Sequence, residues 1–516
     1  MKPLPSGPAL GPLRTASPTR SPEAGATLAA HLTALTLALA LLAFSLLCGC
    51  SVGPEYHRPA AVGTNLMPAA FLGHASGTNA ALWKPAEPSA HLSRGTWWEV
   101  FNDPELNRLE TLATTENQEL AIAAARFEQA RALVNVARSD FLPHVGADPS
   151  YTRQRSSLNQ PQNGHPAGTS PTFNNFTVAL QAGWEVDLWG RVRREVEASL
   201  ARLAASADDV EAARLGVQAE LATDYFALRF TDAEYELIER TVQTYASSLD
   251  LTRNRRAGGI ASDLDVAQAE AQLRVAEAQL PAVDLRRAKL RHALAAFCGQ
   301  PATGFEWTPV GAVSSEIPAV PLFVPSELLE RRPDIAAAER RMAAANAEVG
   351  VAHAAFYPRI RLNGLAGFQS VDVNTLFDWP SRMWAVGPSL DLPLFTGGRN
   401  RAQLAGTRAA YDETVARYRQ SVLVAFREVE DQLAAQNLLA AQLGAETSAL
   451  AAARRTLEIA NNRYKAGLVT YLEVALAQSA ALVRERTVVQ LRTEQLAASV
   501  ALVKALGGGW SQSAER

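Results

Sequence analysis

Few side chains in this sequence are placed to do chemistry, and the clearest come as a duplicated set. The run Asn254-Arg255-Arg256-Ala257-Gly258-Gly259-Ile260-Ala261-Ser262-Asp263-Leu264-Asp265-Val266 is answered 208 positions later by Asn462-Arg463-Tyr464-Lys465-Ala466-Gly467-Leu468-Val469-Thr470-Tyr471-Leu472-Glu473-Val474. In each copy a helical pattern ends in basic residues, and a glycine (Gly259, Gly467) can take the positive φ of a C-terminal cap. Ser262 or Thr470 can then cap the next helix, and an acid (Asp265, Glu473) follows in its first turn. Arg255 and Arg463 are candidate partners for these acids, although cations at a helix C-terminus on a solvated face explain them as well. An ordinary helical hairpin would account for one copy. The recurrence of the surroundings marks a repeated device.

Catalytic spacing is absent. There is no His-Glu-x-x-His, no Gly-x-Ser-x-Gly and no phosphate-binding Gly-Lys motif. The eight histidines are scattered, and the four methionines are unpaired, which disfavours a metal site or a soft-ligand Cu(I) path. A formal charge of −3 offers no basic footprint for nucleic acid. No enzyme activity, metal or dissociable cofactor is therefore expected.

The other reactive residue is Cys50. Lys2, Arg14 and Arg20 precede an apolar run from about Thr27 to Leu47, which ends in Leu46-Leu47-Cys48-Gly49-Cys50. This order is that of a secretory signal, and its end resembles a bacterial lipobox, with Cys50 as the lipid-modified first residue. Leu47 at the cleavage position makes Cys48 the poorer candidate. A membrane anchor would need a stop-transfer flank, and Ser51-Val52-Gly53-Pro54 is not one. By resemblance to bacterial lipoproteins, Ser51 rather than Asp after the cysteine implies sorting to the outer membrane. Loss of 1–49 removes three basic residues and Glu23, leaving a net charge of −5 and Cys298 as the lone thiol, so no disulfide can form within one chain.

The elements that position the two turns also recur. Residues 50–103 begin as an extended Pro-, Ala- and Gly-rich segment. A helical stripe of Leu106, Leu109, Leu112, Leu120, Phe127, Val134 and Ala137 follows and ends at Phe141-Leu142-Pro143. The period then changes to two: Phe176, Val178, Leu180, Ala182, Trp184, Val186 and Leu188 alternate with more polar residues, and a partner strand fits about His144 to Gln154. Ser156 to Pro171 reads as a loop. From Arg191 a heptad-like pattern runs to Ala257, roughly 100 Å of helix at 1.5 Å per residue, too long for a compact globule. Asp263 to Cys298 is a shorter helix disturbed at Pro281. After a Pro- and Val-rich connector, 299–325, the plan repeats over 326–506: a helix from 327 to 355, strands near 359–370 and 383–394, a long helix over 399–464 and a last helix over 470–506. The tail is 507–516. The first repeat is thus 104–298. The shorter helices can stack along the long ones, predicting a rod with strands at one end, the glycine turns at the other and a belt midway. Tilted strands of this length can cross a bilayer, but four cannot close the minimum barrel of about eight, so spanning requires an oligomer.

The lipobox with Cys50-Ser51-Val52-Gly53-Pro54-Glu55-Tyr56-His57-Arg58-Pro59, the duplicated helix-strand-strand-helix plan and the two glycine turns resemble the TolC-type outer-membrane factors, specifically the NodT subgroup of lipoproteins. The resemblance implies a mainly α fold with membrane β: a homotrimer whose twelve-stranded β-barrel continues into a twelve-helix α-barrel across the periplasm. It implies a passive exit duct for small molecules such as drugs, joined by a periplasmic adaptor to an inner-membrane transporter of the RND type. It further implies that Asp265 and Tyr464 hydrogen-bond in a closed periplasmic gate, that Glu473 faces the pore, and that Gly259, Ser262, Gly467 and Thr470 form adaptor-docking tips. Leu476 and Val469 stand where some members carry charge, so fewer ionic locks are expected. A duct for type I protein secretion and a periplasmic adaptor lipoprotein are the alternatives; the adaptor fits less well, because adaptors have one hairpin and this chain has two.

Overall fold

The computed structural model describes residues 51–61, 95–155, 157, 172–307 and 331–508. Cys50 and the preceding apolar run lie outside these residues, as do nearly all of the 156–171 loop, most of the connector and the tail from 509. Among the described residues no helix is long and apolar enough to cross a membrane.

A short 3-10 helix, Trp97–Phe101, leads into α1 (Pro104–Glu116) and α2 (Gln118–Ser139). One continuous helix was expected here. Asn117 breaks it: its backbone is extended, its side chain accepts from the N–H groups of Glu119 and Leu120, and its Nδ2 donates to the Phe297 carbonyl at 2.9 Å. A side-chain acceptor offered to an α2 N-terminus competes with helix continuation. Strands β1 (His144–Arg155) and β2 (Thr172–Val186) follow, then α3 (Arg191–Ala257), α4 (Asp263–Glu277) and α5 (Leu280–Phe297). Pro281 sits in the first turn of α5, where its missing N–H is harmless, so the predicted disturbance is a clean division.

The second half comprises α6 (Pro333–Ala354), β3 (Arg359–Ser370), β4 (Arg382–Asp391), α7 (Arg399–Lys465) and α8 (Tyr471–Ala505). Helices α3 and α7 are each 67 residues long. Both start after a glycine in the left-handed region, Gly190 and Gly398. Helix α6 packs between α3 and α7, α8 lies along α7 and touches α3, and α2, α4 and α5 line α3. The seam expected along α3 is buried at Val217, Leu221 and Leu228, whereas Leu200, nearer the sheet, is 40% exposed.

The midpoint carries the largest core. Trp97, Trp98, Phe101, Leu106, Leu109, Leu221, Tyr225, Phe226, Leu294, Phe305 and Val500 meet there. Arg229 pairs with Asp103 at 3.0 Å inside it. Gly299 closes against Glu116 so tightly that a Cβ would sit 2.4 Å from the Glu116 carbonyl oxygen. Glu110 is wholly buried in the same region, and no hydrogen-bond partner among the described residues meets either of its oxygens; burial pushes its carboxyl up to about 9.

The N-terminal segment is an extended strap. The Val52 N–H donates to the Trp189 carbonyl, Asn346 Nδ2 donates to the Pro54 carbonyl, the Tyr56 hydroxyl donates to Glu339 at 2.7 Å, and Arg58 donates to the Tyr418 hydroxyl. Gly53, at φ 107°, crosses Gly350 where a Cβ would lie 2.5 Å from the Gly350 Cα.

The strands form one antiparallel sheet in the order β1-β2-β3-β4. The central pair joins the two repeats, with Val178 opposite Phe368 and Trp184 opposite Leu362. Directly opposite residues share a face. The registers therefore put Val145, Tyr151, Phe176, Val178, Leu180, Trp184, Ile360, Leu362, Phe368, Trp384, Val386 and Leu390 on one side. Many are open, Trp384 at 73% and Val386 at 77% exposed. Both β1 and β4 are sheet edges.

Candidate functional site

At the end opposite the sheet the two glycine turns lie side by side. Each is closed by the same backbone logic: the Gly259 N–H donates to Arg256 and the Ile260 N–H to Arg255, while the Gly467 N–H donates to Tyr464 and the Leu468 N–H to Arg463. The positive φ of Gly259 (74°) and Gly467 (79°) makes these bonds possible, as a residue with a Cβ rarely adopts it. Under the turns Tyr245, Leu249, Leu273, Tyr464, Tyr471 and Val474 form a small core that fixes α3, α4, α7 and α8 relative to one another.

Asp265 is the node. The Asp265 N–H donates to Ser262 Oγ, and the Ser262 N–H and hydroxyl donate back to Asp265 Oδ2 at 2.9 and 2.8 Å, a reciprocal cap on α4. Its other oxygen, Oδ1, accepts from the buried Tyr471 N–H at 3.1 Å. One carboxylate thus caps its own helix and the first turn of α8. Thr470, expected to cap α8, makes no such bond with its side chain. An ionised acceptor already held by Ser262 takes the donor instead. Burial pushes the Asp265 carboxyl up, but the bonds from Ser262 and Tyr471 and the nearby Arg255 charge outweigh it and hold it below the usual carboxylate range.

The expected hydrogen bond between Asp265 and Tyr464 is not made. The Tyr464 hydroxyl donates to Thr252 Oγ1 at 3.1 Å, and the Thr252 hydroxyl donates in turn to the Ser248 carbonyl. Arg255 lies over the Tyr464 ring, 4.7 Å from its centroid, and donates to the Lys465 carbonyl at 3.0 Å. It therefore ties the end of α3 to the end of α7 and acts on Asp265 only through its charge. Arg463 and Glu473 form a separate pair at 3.8 Å, both about half exposed, so its contribution is small. Gly467 sits beside Arg255. Leu468 and Leu476 are exposed.

Tyr471, Thr252, Ser248 and Gln478 were missed by the sequence reading. The Tyr471 hydroxyl donates to Gln478 Oε1, Gln478 Nε2 donates to Ser248 Oγ, and burial pushes the Tyr471 phenol up to about 12. Tyr471 was visible as an aromatic at the start of an apolar stripe, but nothing in its spacing pairs it with residues about 220 positions earlier.

Residues 110–300 and 324–508 each match the family described as outer membrane efflux protein. The chain belongs to the outer membrane efflux protein family. Over 477 residues it is 34% identical to the solvent efflux pump outer membrane protein SrpC of Pseudomonas putida, covering 92% of this chain and 98% of that protein. It is likewise 34% identical to outer membrane protein OprJ of Pseudomonas aeruginosa, over 92% and 96% of the two chains. Among solved structures it is similar to the outer-membrane channel OprN, at 31% identity and a TM-score of 0.77, with 89% of this chain and all of that one covered. The fold is that of the TolC-like channels, and the protein is a component of the outer membrane. The adaptor alternative falls with that assignment, and the duplication seen in the turns is the duplication of the family match.

Proposed function

We propose that three copies of this chain form the outer-membrane exit duct of a tripartite efflux pump, carrying small molecules without catalysis or a dissociable cofactor. The observation that carries this reading is the sheet. It has two unpaired edges and one apolar, solvent-exposed face, and it continues into two helices of 67 residues. Four strands cannot satisfy their edges in lipid, and three protomers give a closed barrel of twelve. Each protomer then adds its two long helices and two stacked rows of shorter ones to the periplasmic wall.

A periplasmic adaptor and an RND-type inner-membrane transporter complete the pump. The names of the relatives support this, since SrpC is named for a solvent efflux pump. Ser51 packs against Gly190 at the foot of the sheet, a position from which a lipid on Cys50 reaches the inner leaflet. The tip is the gate: Asp265, Tyr464 and Arg255 hold the four helices together, Glu473 with Arg463 borders the opening, and Gly259, Ser262, Gly467 and Thr470 present the adaptor-docking surface. Three copies of Glu473 around the opening favour cations.

The test is single-channel conductance of the purified mature protein in a planar bilayer, beside Asp265→Ala with Glu473→Ala. Small, cation-preferring openings that enlarge in the double variant support both duct and gate. An unchanged conductance and ion preference refutes the gate, and no conductance from a soluble rod refutes the duct.

A further inference from the structure

The outer end of the apolar sheet face carries a charge pattern that the duct does not use. Counting through the strand registers, this face contains Arg153, Arg155 and Arg382 and no other charged residue on any of the four strands. The acids of the strands, Asp148, Glu185 and Asp391, lie on the opposite face. All three arginines are exposed and stand at the end away from the helices, one or two rows above Tyr151 and Trp384, which are 56% and 73% exposed. Aromatics of this kind mark the depth of a membrane interface, so the arginines stand at headgroup level.

Arg153 and Arg155 lie on one edge strand and Arg382 on the other. Within a protomer the edges are three strand spacings apart, roughly 14 Å. Resting on the trimeric barrel proposed above, edge closure brings β4 of one copy beside β1 of the next. Within a protomer the registers set Arg382 level with Pro149, so the site requires the strand stagger of a tilted, closed barrel to slide Arg382 toward Arg153 and Arg155 of the neighbouring copy. Arg382 is already held: it lies 4.1 Å over the Trp379 ring and donates through Nη1 to the Trp379 carbonyl at 3.0 Å. Acids near this rim are Asp372, which accepts from Asn374, and Asp378, both in the 371–381 loop.

We propose that each seam binds the phosphorylated headgroup of an outer-leaflet lipid, with Arg153 and Arg155 from one protomer and Arg382 from its neighbour as the phosphate ligands. The planar guanidinium donates two parallel hydrogen bonds to phosphate oxygens, and the apolar face below accepts the acyl chains. The site also pins the closing edges together.

The experiment is native mass spectrometry of the full-length protein in detergent with lipopolysaccharide carrying a bisphosphorylated lipid A. Mass without added lipid is read first: a monomer removes the seam and refutes the barrel reading and this one together. For an intact trimer, Arg153→Gln with Arg155→Gln and Arg382→Gln is expected to weaken binding on the order of 100-fold, roughly fivefold per arginine. Dephosphorylated lipid A should bind both proteins equally and weakly. Equal binding of lipopolysaccharide by wild type and variant overturns the proposal. So does equal wild-type affinity for the dephosphorylated lipid, or displacement by inorganic phosphate at the same concentration as the lipid.

Discussion

Replacing Asp265 with alanine should unfasten the tip selectively. The substitution removes the reciprocal cap on α4 and strands the Tyr471 N–H, whose residue is only 1% exposed. Loss of a helix cap costs about 1 kcal/mol, and a buried donor without a partner about 1–3 kcal/mol more. The sum, about 3 kcal/mol, corresponds to an increase on the order of 100-fold in the open population of the α4–α8 contact. Asp265→Asn keeps an acceptor for Tyr471 but presents an amide donor toward Ser262, so it should give an intermediate result. Amide hydrogen exchange read at Tyr471 and Ser262, with the midpoint core as internal reference, distinguishes them. Equal exchange in wild type and Asp265→Ala would refute the double-cap reasoning, and identical effects of Ala and Asn would refute the assignment of one oxygen to each helix. The native carboxyl is held below its ordinary value, so its contribution is present above the unfolded pKa of about 4 and is lost as pH falls through the folded value. Acid should therefore mimic the alanine variant only below about pH 4.

Three further outcomes are expected. Glu110 is neutral in the fold and ionised in the unfolded chain between about 4.5 and 9, so it destabilises increasingly across that window, by about 3 kcal/mol at pH 7; Glu110→Gln should raise the thermal midpoint at pH 8 far more than at pH 5, and a pH-independent gain would refute the buried neutral acid. Tyr464→Phe should cost about 1 kcal/mol because only the bond to Thr252 is lost, whereas Tyr464→Ala should cost about 3–5 kcal/mol because the ring beneath Arg255 and beside Tyr471 goes too, measured by local exchange at the ends of α3 and α7. Gly53→Ala meets both a positive φ and the Gly350 backbone, so limited proteolysis should cut the strap in the variant while leaving the helical tip protected; an uncut strap would show that the crossing is not needed to hold it.

Much of this protein is a consequence of local pattern. The helix from Arg191 to Ala257 follows from the sequence to the residue, because Gly190 and Gly258 bracket a heptad-like run with few gaps and such signals act within a turn of the chain. The strands emerged from their period of two, since a β-face is a property of alternate residues, and the duplication from a constant offset of 208. The same locality explains the errors. Leu106 to Ala137 carries one apolar stripe, so periodicity cannot see that Asn117 gives its side chain to the Phe297 carbonyl. Val217 and Leu200 look alike in the heptad, and only the packing of α6 and the midpoint core decides which is covered.

The candidate site divides along the same line. The turn chemistry of Gly259 and Gly467, and the acid one turn into α4, were legible because capping is decided by residues two to four apart. Which partner each side chain takes was not. Asp265 reaches Tyr471 across 206 positions, Tyr464 reaches Thr252 across 212, and Arg255 leaves the acids for an aromatic face. Hydrogen bonds are settled by approach within about 3 Å, and that approach exists only once the two repeats have packed against each other.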